Sequence, residues 1–234
     1  MTGNLYLIPV PISTGDIAWI QPAAVQQCVG KISHFIVEHP KTARQFLKQI
    51  GSKFSLQDIK MWTLNKHTSD SDLYGLLEPL LAGHDMGLLS EAGCPAVADP
   101  GSGLIRLAHK NAISVIPLVG PSSILLALMA SGLNGQRFVF HGYLPIENSA
   151  RARKIAELEK VSINQDQTQI FIETPYRNQK LLEQLVTICS DNADLCIASN
   201  LTSSDEKIAT KSIKQWRYAL PDINKLPTIF LLHG

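Results

Sequence analysis

Two glycine- and proline-rich turns carry the residues best suited to hold a ligand. Ser90-Glu91-Ala92-Gly93-Cys94-Pro95, with Asp99-Pro100-Gly101 just beyond, follows the apolar run Met86-Gly87-Leu88-Leu89. Val119-Gly120-Pro121-Ser122-Ser123 follows a second apolar run over 113–118. Glycine has no Cβ, so its backbone can pass close to a bound molecule. Proline fixes the turn and removes one donor. Ser122 either caps the helix after it or offers its hydroxyl, with the helix N-terminus, to a polar group of a ligand. Two buried strands that each open into such a turn and then a helix describe the carboxyl edge of a parallel sheet. Open α/β folds bind ligands at that edge. The pattern predicts a site for a nucleotide-like small molecule; the plain alternative is a pair of tight strand-to-helix turns.

Other chemistries lack their residues. The turn after the first strand is Pro9-Val10-Pro11-Ile12-Ser13, with no G-x-G-x-x-G, and neither a P-loop nor a G-x-S-x-G elbow occurs. His39, His67 and His141 are scattered without metal-ligand spacing, so no metal is expected. Cys28, Cys94, Cys189 and Cys196 lie far apart with no CxxC pair, which suits a reducing cytoplasm. The formal net charge of +1 over 234 residues carries no global signal for nucleic acid. The N-terminal apolar run is broken by Pro9 and Pro11 and does not read as a leader. No stretch approaches the roughly 18 apolar residues of a membrane helix.

The elements that must position the two turns alternate regularly. Strands are expected over 4–8, 33–37, 59–64, 86–89 and 113–118. Helices are expected from Pro22, over 41–50 with Gly51 closing it, over 70–81 capped by Ser69 or Asp70, and over 104–110. The turn Asn65-Lys66-His67 follows the third strand. This alternation implies right-handed crossovers and a parallel sheet. The period then restarts. Helices are expected over 122–131, 150–160 and 178–189, and strands over 137–142, 169–173, 195–199 and 228–232. Thr202 to Trp216 has no clear period. A boundary near Pro117 to Pro121 gives two α/β domains, 1–118 and 119–234.

Several motifs, taken in order, resemble the tetrapyrrole methylase superfamily. They are Tyr6-Leu7-Ile8-Pro9-Val10-Pro11-Ile12, the Ser90 to Pro95 turn, Asp99-Pro100-Gly101 and Pro117-Leu118-Val119-Gly120-Pro121-Ser122. Ser131-Gly132-Leu133, Arg137-Phe138, Gly142-Tyr143-Leu144-Pro145, Arg151 to Lys154 and Glu173-Thr174-Pro175-Tyr176-Arg177 resemble its small-subunit ribosomal RNA 2′-O-ribose methyltransferase I group, in a short form without that group's C-terminal extension. The chain departs from the group's pattern in places. Glu91 and Cys94 replace D and T of S-D-A-G-T-P. Glu38-His39-Pro40-Lys41 stands for E-D-T-R, Ser199-Asn200-Leu201-Thr202 for R-E-L-T, and Ser13-Thr14 for G-N.

The resemblance implies two α/β domains, the first sheet parallel and the second mixed, with an S-adenosylmethionine cleft between them. It places the cofactor against Ile8, Pro9, Gly93, Cys94, Val97, Ser122, Ser123, Ile172, Pro227 and Thr228. Glu91, Glu38 and Tyr176 become the catalytic, substrate-side candidates; the two glutamates can equally cap helices, and Tyr176 can pack at an interface. Arg151, Arg153 and Lys154 either meet phosphates or form a solvated helix face. The implied partner is small-subunit ribosomal RNA or a tetrapyrrole precursor, with no membrane and a homodimeric state. A module that binds the cofactor without catalysis is the third reading, motivated by the lost charges at Ser199 and beside Glu38.

Overall fold

The computed structural model describes residues 1–65 and 67–234, so Lys66 of the turn noted above lies outside the described residues. Contacts divide the chain into two compact units, Met1–Ser122 and Ser123–Gly234.

In the first unit, the strands are β1 (Leu5–Ile8), β2 (His34–Val37), β3 (Lys60–Thr63), β4 (Met86–Leu89) and β5 (Val115–Pro117). They pair in parallel in the order β3-β2-β4-β1-β5. Helices α1 (Ile17–Ile20), α2 (Ala23–Val29), α3 (Pro40–Gln49), α4 (Asp70–Leu81) and α5 (Ser102–Lys110) connect them. Apolar runs rather than alternation mark a parallel sheet because both its faces are covered. Ile8, Phe35, Val37 and Leu89 pack with Val25, Val29, Phe46 and Leu47 of α2 and α3. Leu5, Ile36 and Leu88 pack on the other face with Leu77 and Leu80 of α4 and Leu104 of α5. Ser69 is the cap of α4, in a reciprocal box with Asp72. The sequence gives no signal for α1, a single turn held by the Asp16 carboxylate on the Ala18 amide.

The second unit carries α6 (Ser123–Ser131), β6 (Phe138–Tyr143), α7 (Asn148–Gln165), β7 (Thr168–Ile172), α8 (Asn178–Ile188), β8 (Asp194–Ser199), β9 (Lys207–Ser212), α9 (Ile213–Tyr218) and β10 (Thr228–His233). Its sheet runs β6-β7-β10-β8-β9 and is mixed: β6 and β7 are parallel, and the other pairs antiparallel. Ile155 and Leu158 of α7, Leu182 and Leu185 of α8, and Trp216 of α9 close the core over Phe171, Leu195 and Phe230. Helix α7 starts earlier and ends later than expected. The Glu147 carboxylate accepts from the Ser149 and Ala150 amides, and the chain leaves the helix only at Asp166, in the left-handed region. The unassigned stretch 202–216 holds β9 and most of α9. Among the described residues, no helix is long and apolar enough to cross a membrane.

Candidate functional site

Three turns meet at the carboxyl edge of the first sheet. Val10, after β1, and Gly93, after β4, exchange backbone hydrogen bonds of 3.0 and 3.1 Å. The Cys94 thiol donates to the Pro121 carbonyl at 3.5 Å, tying the β4 turn to the turn after β5. Gly120 lies so close to the Pro9 ring that a Cβ there would sit 2.5 Å from Pro9 Cβ. Burial pushes the Cys94 thiol up from its ordinary value, and its hydrogen bond with the Ser122 side chain opposes the shift. Ile8, Pro9, Gly93, Cys94 and Ser122 are thus brought together. Val97 rides on the same loop, its amide donating to the Cys94 carbonyl, with a side chain 47% exposed. This loop is strained: Ala96 and Ala98 both hold positive φ, at 63° and 56°. Alanine pays a steric cost in that region, and such strain clusters at ligand clamps.

The expected substrate-side carboxylates lie beside this edge. Glu91 is engaged by the start of α3: its Oε1 accepts from the His39 amide at 3.1 Å and from the Thr42 hydroxyl at 3.0 Å. Among the described residues it is the one charged group lining a cavity of about 320 Å³ formed by the 10–15 loop, α3 and the β4 turn, which Thr42, Gln45 and Phe46 also line. Glu38, at the end of β2, is half-buried and close enough to Asp99 to raise its pKa. Asp99 is the residue that sequence reasoning passed over. Burial pushes its carboxyl up to about 6; the Glu91 amide, 3.4 Å from Oδ2, opposes the shift, and the charges of Glu38 and Glu91 add to it. The motif Asp99-Pro100-Gly101 was visible, but its closeness to two other carboxylates was not.

The Asp99 shift has a definite sign. The folded chain holds this proton more tightly than the unfolded chain, whose value is near 3.8. The group therefore costs no stability below that value, and stability falls as pH rises through about 6. Asp99→Asn is expected to melt higher than the parent at pH 7.5, with the gap narrowing towards pH 4.5. Thermal melts of both proteins across that range check this, and a gap that does not change with pH contradicts it.

In the second unit, Ile172, Pro227 and Thr228 gather at one end of the sheet. Ile172 pairs with Ile229, the Pro227 carbonyl accepts from the Asn200 amide at 2.9 Å, and the Thr228 and Ser199 hydroxyls lie 2.9 Å apart. Ser123 is the first residue of α6. Tyr176 stands on a 3-10 turn, Pro175–Arg177, and is 77% exposed. Glu173, quoted in the motif without a role, is buried there; its Oε1 accepts from the Thr174 amide and from Arg177 Nη2, both at 2.7 Å. Arg151 contradicts the phosphate reading. It is 2% exposed, its guanidinium donating to Gln184 Oε1, the Ile146 carbonyl and Asn148 Oδ1. Lys154 pairs with Glu157, and Arg153 is exposed.

No family model matches the chain. Its fold is that of a methyltransferase. The crystal structure of the methyltransferase CobJ superposes with a TM-score of 0.65, at 16% identity, covering 100% of this chain and 95% of that one. The more particular assignment comes from sequence relatives. A ribosomal RNA small subunit methyltransferase I of Xylella fastidiosa is 31% identical over 206 residues, 88% of this chain and 71% of that protein. One of Vibrio cholerae is 29% identical over 233 residues, 98% of this chain and 77% of that protein. The chain belongs to the ribosomal RNA small subunit methyltransferase I family and is a methyltransferase.

Proposed function

We propose that the chain transfers a methyl group from S-adenosylmethionine to a ribose 2′-hydroxyl in small-subunit ribosomal RNA, working as a cytoplasmic homodimer. The convergence of the three turns at Pro9, Gly93-Cys94 and Gly120-Ser122 is the observation that carries this reading. Gly93 has a φ of +73° and no Cβ, so its peptide can lie against a flat ligand. On this reading the two units act as two domains, and Val97 belongs with the cofactor residues of the first.

The cofactor supplies an electrophilic methyl on a sulfonium. The protein must then hold the acceptor hydroxyl in line with the methyl–sulfur bond, which supplies up to roughly 7–11 kcal/mol of the barrier. The hydroxyl must also lose its proton. Glu38 and Glu91 are candidates for that step, and Asp99, its carboxyl pushed up to about 6 by burial, is a third. Tyr176 belongs to the substrate side.

Calorimetry with S-adenosylmethionine tests the first half of the proposal, and absence of heat at millimolar cofactor ends it. Incubation of the protein and labelled cofactor with undermethylated small ribosomal subunits tests the second half. Label is expected in RNA, at a ribose. The fold shared with CobJ supports a second reading, a tetrapyrrole acceptor. A spectral change on mixing with a precorrin-type substrate, with no label entering RNA, would favour it.

A further inference from the structure

The turn after β7 combines an exposed ring with three cations on a hydrogen-bonded base. Four bonds fix its backbone. The Arg177 amide donates to the Thr174 carbonyl at 2.9 Å, and the Lys225 amide to the Pro175 carbonyl at 3.0 Å. The buried Glu173 carboxylate holds the Thr174 amide, and fully buried Asn178 donates through Nδ2 to the Leu226 carbonyl at 2.6 Å. Tyr176 projects from this base, 77% exposed. Its hydroxyl hydrogen-bonds nothing among the described residues.

Three cations are carried by this turn, the helix it opens and the loop bonded to it. Arg177 is held by one nitrogen to Glu173, and its side chain remains 35% exposed. Lys180 follows Tyr176 by one helical turn, and Lys225 is carried on the loop bonded to Pro175; both are exposed. Neither lysine makes an ion pair among the described residues. Asp222 is the nearest anion in the Lys225 loop by sequence, and its carboxylate accepts the Asn224 amide.

We infer that Tyr176, Arg177, Lys180 and Lys225 form a docking site for single-stranded RNA, with an unpaired base stacked on Tyr176 and the flanking phosphates met by the three cations. A ring that stacks is sequence-tolerant and needs a base free of its partner, whereas the cations read only backbone charge. Tyr176 therefore acts through its face, not through its hydroxyl. The inference rests on the RNA reading above and adds to it the form of RNA that is held.

Fluorescence anisotropy of the 234-residue chain with a short mixed-sequence single-stranded RNA, and with the same sequence as a duplex, tests it. Tyr176→Ala is expected to weaken single-strand binding roughly ten-fold and duplex binding less than about two-fold. Tyr176→Phe keeps the ring and is expected to bind within about two-fold of the parent. Lys180→Ala with Lys225→Ala is expected to lower the salt slope by roughly 1.4, about 0.7 for each single-strand phosphate contact. These residues are exposed, so melting curves are expected to match the parent. If Tyr176→Ala binds the single strand like the parent while the parent binds RNA well, this inference is overturned and the RNA reading stands. If the parent binds neither RNA, this inference is overturned, and the RNA reading stands or falls on the label that enters small ribosomal subunits. If a tetrapyrrole polycarboxylate binds instead, in a Tyr176-dependent way, the site passes to the second reading and the inference is overturned.

Discussion

Gly120→Val is expected to cut methyl transfer by about 100-fold while leaving the first unit folded. A Cβ at residue 120 would lie 2.5 Å from Pro9 Cβ and 2.9 Å from its Cγ. The ring of Pro9 is stiff and buried, so it cannot swing aside as a lysine tip would. Either the turn after β1 or the turn after β5 must move. Overpacking of this kind costs about 1–3 kcal/mol of stability, which a unit with two apolar layers can absorb. The chemistry is less tolerant, because a displacement near 1 Å can cost roughly 10²-fold in rate. Calorimetry with S-adenosylmethionine and a single-turnover methylation assay read the two consequences, and a far-ultraviolet melt confirms folding. Cys94→Thr is the paired control. It restores the hydroxyl found in the resembling family and offers Pro121 a better donor than the thiol. Its affinity is expected to equal or exceed the parent's. A Gly120→Val protein of full activity would show that the contact between these turns does not shape the site.

Legibility in the sequence follows from how local each signal is. The first sheet was readable because 5–8, 34–37 and 86–89 are short, largely apolar runs in a sheet covered on both faces, and each ends at a Pro or Gly turn or at a helix with proline in its first position. The turn at Gly93 announced itself through residue type, and so did a cap at Ser69 or Asp70; the reciprocal bond with Asp72 did not. Strand β9 did not. Lys207-Ile208-Ala209-Thr210-Lys211-Ser212 is an edge strand carrying two lysines, a composition that discourages edge-to-edge pairing and hides the strand. Helix α9 spans six residues and is held by Trp216, whose indole donates to the Leu195 carbonyl twenty-one positions away. The carboxylate group of Glu38, Glu91 and Asp99 was likewise out of reach. Its members come from two different turns, and Asp99 is perturbed chiefly by burial.

Arg151 shows the same limit with the largest stability consequence. In the sequence, Arg151, Arg153 and Lys154 form a basic cluster of the kind that meets phosphates. In the fold, Arg151 points inward at the start of α7 and spends its donors on Gln184, Ile146 and Asn148. It joins the first turn of α7 to α8, and Gln184 completes the link by donating to the Asn148 carbonyl at 3.0 Å. Among the described residues no anion pairs with Arg151, so these three acceptors stand in for its hydration. Arg151→Ala removes three hydrogen bonds made by a charged donor; their acceptors lie on half-buried or exposed residues, so water recovers part of the loss and each bond contributes about 0.5–1.5 kcal/mol. It also removes the packing of the long side chain. The expected loss is about 3 kcal/mol, roughly 10 °C in the melting point of a unit this size. RNA affinity, compared below the melting point, is expected to change less than about two-fold, since a residue 2% exposed cannot meet a phosphate. Arg153→Ala should do the reverse if α7 contacts RNA at all, leaving the melt unchanged. An Arg151→Ala protein that melts like the parent but loses RNA binding would mean that this guanidinium turns outward when RNA arrives.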